Sequence, residues 1–219
     1  QNQAEDMEHF ELQLNKMSVS GALFDMVKLL DVSKSVISRF DAEKVYNESL
    51  KWAEKYDAEL AEMLKADKEY ALKIFGIERG NKKPRKDIAK WSDVKNEISY
   101  MYDEKFYAQN VNYEYQKISN SDKIKTILDE YINNYFDEND DKQEWFNKIK
   151  ELAGKLGYAS EVKEFKANPD KYEAHVGDVS TVLRIALTGR SNTPDMYEIM
   201  EIMGKDRIKE RFEHAKKEL

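Results

Sequence analysis

Cysteine is absent from this 219-residue chain. Disulfide staples and thiolate metal sites are therefore excluded, and a reducing, cytoplasmic setting is the expectation. Proline occurs three times and glycine eight times, too few punctuating residues for a fold of many hairpins, which favours helices. No run of about 18 apolar residues occurs and no basic-then-apolar leader opens the sequence, so it reads as soluble, with no membrane partner. Positive charge is also short: 36 Lys and Arg stand against 43 Asp and Glu, a net charge of −7. Non-specific nucleic-acid binding draws its affinity from neutralised phosphates, so this balance argues against it and confines any RNA-binding surface to a local patch. The three histidines, His9, His175 and His214, share no metal-ligand spacing, and no metal is expected.

What is present is enough apolar material for a core, 41% of the chain, in a length that suits one large or two medium domains. Phe10, Leu12 and Leu14 alternate with polar residues as in a short strand. Beyond them the period is helical. Helices are expected from about 24 to 30, from a cap at Asp41 with Val45, Tyr46, Leu50 and Ala53 inward, over 57–66, and over 68–79 with a stop at Gly80. Ser92 reads as the N-cap of a helix to about 105, with Trp91 stapling its entry. Residues 107–120 are aromatic and aperiodic, a connection between domains. A helix follows from Ser121, with Ile124, Ile127, Leu128, Tyr131 and Tyr135 on one face, and another carries Trp145, Ile149, Leu152 and Leu156 up to Gly157. The expectation is all-α: two helical bundles, 41–115 and 116–219, preceded by residues 1–40 as the end of another domain.

Charge is segregated along the chain. Residues 79–90 hold Arg79, Lys82, Lys83, Arg85, Lys86 and Lys90 against Asp87 alone, whereas residues 129–144 hold seven acids against Lys142. RNA would meet the first segment and avoid the second.

The most informative stretch lies near the C-terminus, where a polar loop, Thr188 to Pro194, separates two amphipathic helices. Val179, Val182, Leu183, Ala186 and Leu187 recur at helical spacing. Gly189 supplies the positive φ that ends the first helix, while Thr193 as N-cap and Pro194 at the first helical position start the second. Arg184 sits among Val182, Leu183, Ile185 and Ala186. Its planar fork suits two parallel hydrogen bonds to a base edge, or stacking on an unstacked base, and its bland alternative is an arginine paired or snorkelling within a bundle.

The run Leu183, Arg184, Ala186, Leu187, Thr188, Gly189, Thr193, Pro194, Glu198, Ile199, Gly204, Arg207, Arg211 resembles the element that closes bacterial glutamyl-tRNA synthetases, of the form (L/I)RxALTGxxxTPxxxEIxxxxGxxRxxxR. Near the start, Ser18, Gly21, Phe24, Asp25, Lys28 and Leu29 look like the family's SxxGxxFDxxKL element, which follows the catalytic domain. The two matches anchor both ends of the chain, while the middle matches weakly. The resemblance implies two helical anticodon-binding domains after a remnant of the stem-contact domain. It also implies a tRNA partner, glutamate tRNA with glutamine tRNA left open, and a catalytic domain in cis that attaches glutamate using ATP and Mg²⁺. It places Arg184, Thr193, Pro194 and Met196 against the anticodon, with Met196 equally readable as core. Arg85 aligns with a position that contacts the third anticodon base, and Lys82, Lys83 and Lys86 would hold the phosphate backbone.

Two further segments imitate the nucleotide-binding signatures of class I synthetases. Lys16 to Ser20 reads KMSVS, with Val19 where the KMSKS loop has the lysine that charges a phosphate site. His175 to Asp178 reads HVGD, lacks the second histidine of HIGH, and comes after the first segment where HIGH comes before; a helix start capped by Asp178 is the preferred reading. No catalytic residue and no cofactor are assigned to this chain. The rival to tRNA recognition is a helical protein-interaction module with no RNA partner.

Overall fold

One aspartate stands ahead of each of four successive apolar-periodic runs, and each starts a helix. In the computed structural model, which describes residue 15, residues 24–109, residue 111 and residues 113–219, Asp25, Asp41, Asp57 and Asp67 cap α1 (Met26–Ile37), α2 (Ala42–Tyr56), α3 (Ala58–Ala66) and α4 (Lys68–Gly76). Each carboxylate accepts the N–H three residues on, at 2.7–3.1 Å, and its charge suits the positive end of the helix dipole. The strand expected around Phe10 to Leu14 and the KMSVS segment lie outside the described residues.

Helices α2, α3 and α4 pack on one another through Val45, Ala53, Leu60, Leu64 and Ala71, all fully buried. α4 stops at Gly76, four residues before the expected Gly80, because Ile77 already turns extended with ψ 125°. The helix expected over 92–105 is broken into pieces: a 3₁₀ turn Trp91–Asp93, α5 (Val94–Ile98), a second 3₁₀ turn Ser99–Met101, and α6 (Asp103–Ala108). Ser92 does not cap it. The Asp93 carboxylate instead takes the N–H groups of Ala89 and Lys90, and Tyr102, extended at φ −103° and ψ 119°, interrupts the helical path. Val94, Ile98 and Met101 are buried as their spacing requires.

Beyond the aromatic connector, Asn120 caps α7 (Ser121–Glu130), which widens into a π turn at Tyr131–Tyr135. Then come α8 (Lys142–Lys155), α9 (Val162–Ala167), α10 (Val176–Thr188) and α11 (Met196–Lys217). α10 is the hub, touching α7, α8 and α11, and eight of its thirteen residues are buried. Truncating Leu187, fully buried there, to alanine should cost about 2–5 kcal/mol. Among the described residues the only extended pairing is one isolated bridge, Ala159 with His175, so the fold is all-α. No described helix is long and apolar enough to cross a membrane.

α10 does not start as its sequence suggests. His175 is the N-cap, its Nδ1 accepting the Gly177 N–H at 3.0 Å, while Asp178 reaches back to the His175 N–H at 2.9 Å. The pair satisfies two orphan donors reciprocally. The imidazole of the HVGD segment is thus spent on a helix end.

The two helix groups are joined by polar contacts from α11. Arg211 is fully buried. It donates to the carbonyls of Tyr100 at 2.9 Å and Leu187 at 3.1 Å and to Asp103 Oδ1 at 2.5 Å, with its guanidinium 3.6 Å from the Phe106 ring centroid. Arg207 reaches Asp103 Oδ2 at 3.0 Å and the Tyr70 hydroxyl at 2.6 Å. Glu198 accepts the N–H of Glu78 at 3.0 Å.

Candidate nucleic-acid interface

The polar loop between α10 and α11 is held from both sides. Gly189 ends α10 at φ 69°, its N–H on the Ile185 carbonyl. The Thr188 hydroxyl donates to the Arg184 carbonyl at 2.7 Å and accepts the Arg190 N–H at 3.2 Å. The Arg190 guanidinium then bonds the Asn96 carbonyl and lies 5.0 Å from the Tyr100 ring centroid. From the other side comes Arg85, on the basic connector. Its Nε meets Asp87 Oδ2 at 2.5 Å, its Nη1 donates to the Thr193 carbonyl at 2.7 Å, and its Nη2 to Asn192 Oδ1 at 3.2 Å.

Thr193 does not cap α11, nor does Pro194 occupy its first turn. The helix begins at Met196, and Asp195 is the cap, its Oδ1 accepting the Glu198 N–H at 3.1 Å. A carboxylate at that end gains from the dipole as well as the hydrogen bond, which a hydroxyl cannot match. The Thr193 hydroxyl is buried and donates to the Pro194 carbonyl at 3.0 Å instead. Asp195 also accepts Lys142 Nζ from the start of α8 at 2.6 Å.

These contacts frame an open cleft of about 770 Å³, and its lining brings Arg85, Arg184, Thr193, Pro194 and Met196 together with Lys142, Gln143, Trp145 and Phe146 of α8. Five of the sequence-derived positions thus share one concavity. Met196 is almost wholly buried, its Sδ 3.8 Å from the Thr193 hydroxyl; its side chain belongs mainly to the core and shows the cleft only a margin. Arg184 is different. It is half-buried, and among the described residues its guanidinium makes no hydrogen bond or ion pair, with Nε buried and unsatisfied. Burial, and then the neighbouring Arg85 charge, push its pKa below the ordinary value, while Asp195 opposes them. The buried Nε–H lacks an acceptor, and a donor left unpaired in this way is unfavourable.

Lys82, Lys83 and Lys86 are exposed on the connector and do not line the cleft. Arg79, counted with them in the sequence, points elsewhere: its Nη1 donates to the carbonyls of Ile37 at 3.0 Å and Phe40 at 3.1 Å, and burial lowers its pKa. It ties α1 to the connector. Trp91 is half-buried against the core and lies outside the cleft. No group of three or more His, Asp or Glu side chains among the described residues is arranged to hold a metal.

The α8 wall has no counterpart in the sequence reading. Lys142 and Gln143 end an acidic run that was expected to face away from RNA, and only the fold turns them toward Arg184.

A family profile described as an anticodon binding domain matches residues 48–216. A glutamate–tRNA ligase of Acetivibrio thermocellus is 44% identical over 218 residues, covering 97% of this chain and 38% of that protein. One of Clostridium perfringens (strain SM101 / Type A) is 42% identical over 213 residues, with the same 97% and 38% coverage, and one of Sorangium cellulosum is 42% identical over 206 residues, covering 93% and 35%. The chain therefore spans under two fifths of the length of these relatives.

Proposed function

The chain belongs to the anticodon binding domain family, and from that premise we propose that it is the tRNA-recognising region of a glutamate–tRNA ligase, holding the anticodon arm in the cleft beside α10. The observation that carries the reading is the Arg184 guanidinium, half-buried at an open cleft and bonded to nothing within the described protein. Single-stranded RNA loops are read through splayed bases that stack on guanidinium planes and offer their edges to donors. Arg184 supplies such a plane and its donors. Thr193 and Pro194 shape the adjoining floor, and the margin of Met196 supplies an apolar contact.

Arg85 acts at the same cleft. Its ties to Asp87, the Thr193 carbonyl and Asn192 leave two of its five N–H donors for a base. Lys82, Lys83 and Lys86 meet phosphates, setting affinity without sequence preference. On this reading residues 41–115 and 116–219 are two anticodon-binding bundles following a stem-contact remnant, 1–40. A catalytic domain elsewhere in the intact cytoplasmic enzyme uses ATP and Mg²⁺ to attach glutamate, and this chain contributes selection and orientation.

The test is binding of glutamate tRNA and an anticodon-mutated copy across a salt series. Arg184→Ala should cost about 1–3 kcal/mol on the cognate tRNA and narrow the gap between the two RNAs. Replacing Lys82, Lys83 and Lys86 together should weaken both RNAs alike and flatten the salt dependence. Equal losses on both RNAs for Arg184→Ala would sink the role given to that residue.

A further inference from the structure

On the side of the cleft formed by α8, Phe146 is 37% exposed, a large apolar ring at the site's rim. Lys142, Gln143 and Phe146 fall at i, i+1 and i+4, so Phe146 lies over both of the others on one helix face, the face that lines the cleft. The helix beneath is anchored. Asp141 caps it by accepting the N–H groups of Gln143 and Glu144, each at 2.8 Å. Trp145 donates from Nε1 to the Tyr131 hydroxyl at 2.9 Å and packs edge-on to Tyr197 with ring centroids 6.0 Å apart. Phe146 has no such anchor of its own. Its ring neighbours are Trp145, with centroids 6.3 Å apart, and Lys150 Nζ, 5.1 Å from its centroid.

We infer that Phe146 is a stacking platform for one splayed base of the RNA bound at this cleft, with Gln143 beside it offering the free oxygen of its amide to that base's edge. The inference rests on the anticodon-arm reading and adds a second wall to it. The cleft's chemistry selects this occupant. A flat apolar ring, an unpaired guanidinium and an unused amide acceptor suit a planar ligand with acceptors and donors on its rim, and every nucleobase has a π-face. Gln143 donates its own amide N–H to Asn147 Oδ1 at 3.1 Å, which orients the amide oxygen as the acceptor left for a ligand. Lys142, which lines the cleft and shares its charge with Asp195 at 2.6 Å, stands beside the backbone that carries such a base.

The experiment uses the full chain and an anticodon stem-loop RNA of glutamate tRNA, with 2-aminopurine replacing each anticodon base in turn. Binding of the wild-type chain should quench the fluorescence of one of the three labelled RNAs. Phe146→Ala should abolish that quench and weaken binding roughly tenfold or more, with helicity retained and the protein still folded at the assay temperature. Phe146→Trp should restore both quench and affinity, whereas Phe146→Leu, apolar but without a π-face, should restore neither. Unchanged quench and affinity for Phe146→Ala, alongside a loss for Arg184→Ala, would overturn the platform and spare the anticodon reading. No retention of the stem-loop by the wild-type chain, even at low salt, would overturn both.

Discussion

At the scale of single residues, Gly189 carries two demands at once. Its φ of 69° disfavours any side chain, and a Cβ there would come within 2.6 Å of Val111 Cγ1. Gly189→Ala should therefore destabilise by about 1–3 kcal/mol, measured as a fall in denaturation midpoint, and should loosen the loop that positions Thr193. A midpoint within error of wild type would show that Val111 yields and that the turn tolerates an alanine. The need for glycine at 189 was legible in the sequence, since a helical run ended there in a polar loop. The cap of the next helix was misread at the same scale. Thr193 before Pro194 has the usual form of a helix start, yet Asp195, one residue past the proline, takes the role because its carboxylate reaches the Glu198 N–H. Local pattern could not rank a hydroxyl against a carboxylate two positions away.

At the scale of elements, the periodicity of apolar residues located most helices correctly. Where it failed, a side chain had competed for the backbone, as Asp93 does ahead of α5. α11 shows a related effect. Gly204 sits at φ 72° and ψ 165° inside it, a kink between Met200 and Phe212, both of which are buried. Gly204→Ala should cost about 1–3 kcal/mol through backbone strain, since the space around the glycine is otherwise free to 3.7 Å. Another element-scale link is electrostatic. Glu59, at the start of α3, meets Lys105 of α6 and Lys95 of α5, and hydrogen bonds from Lys105 first and Lys95 second lower its pKa to about 2. A depressed carboxylate contributes stability in full above its unfolded value of about 4.3 and loses it as pH falls through about 2. Glu59→Gln should therefore lower the thermal midpoint modestly at neutral pH and converge on wild type near pH 2, because the pair is half-exposed and screened. A constant gap between the two proteins from pH 7 to pH 2 would refute the link.

At the scale of the whole molecule, the cleft is assembled from three stretches far apart in sequence: the connector at Arg85, the start of α8, and α10 with the loop that follows it. Arg184 and the loop were legible because their neighbours form one contiguous motif with a recognisable family form. The α8 wall was not, since nothing local in Lys142 to Phe146 says which surface it will face. Most of the remaining motif residues turn out to hold the assembly together rather than to face the cleft. Arg211 is the clearest case, fully buried and bridging the Tyr100 carbonyl, the Leu187 carbonyl and Asp103. Arg211→Met keeps the bulk and removes the donors, leaving two buried carbonyls unpaired and Asp103 with Arg207 as its remaining partner. The cost should be about 3 kcal/mol, seen as a lower midpoint in a single transition, because Arg211 is the fully buried one of the α11 side chains that join the two helix groups. Binding to RNA should weaken only in proportion to the folded fraction, with the ratio of cognate to anticodon-mutated affinity unchanged. That distinguishes Arg211 from Arg184, whose loss should spare the midpoint and shrink the ratio. If Arg211→Met instead shrank the ratio while leaving the midpoint in place, the buried arginine would be acting on recognition, and the division between clamp and reader drawn from their burial would be wrong.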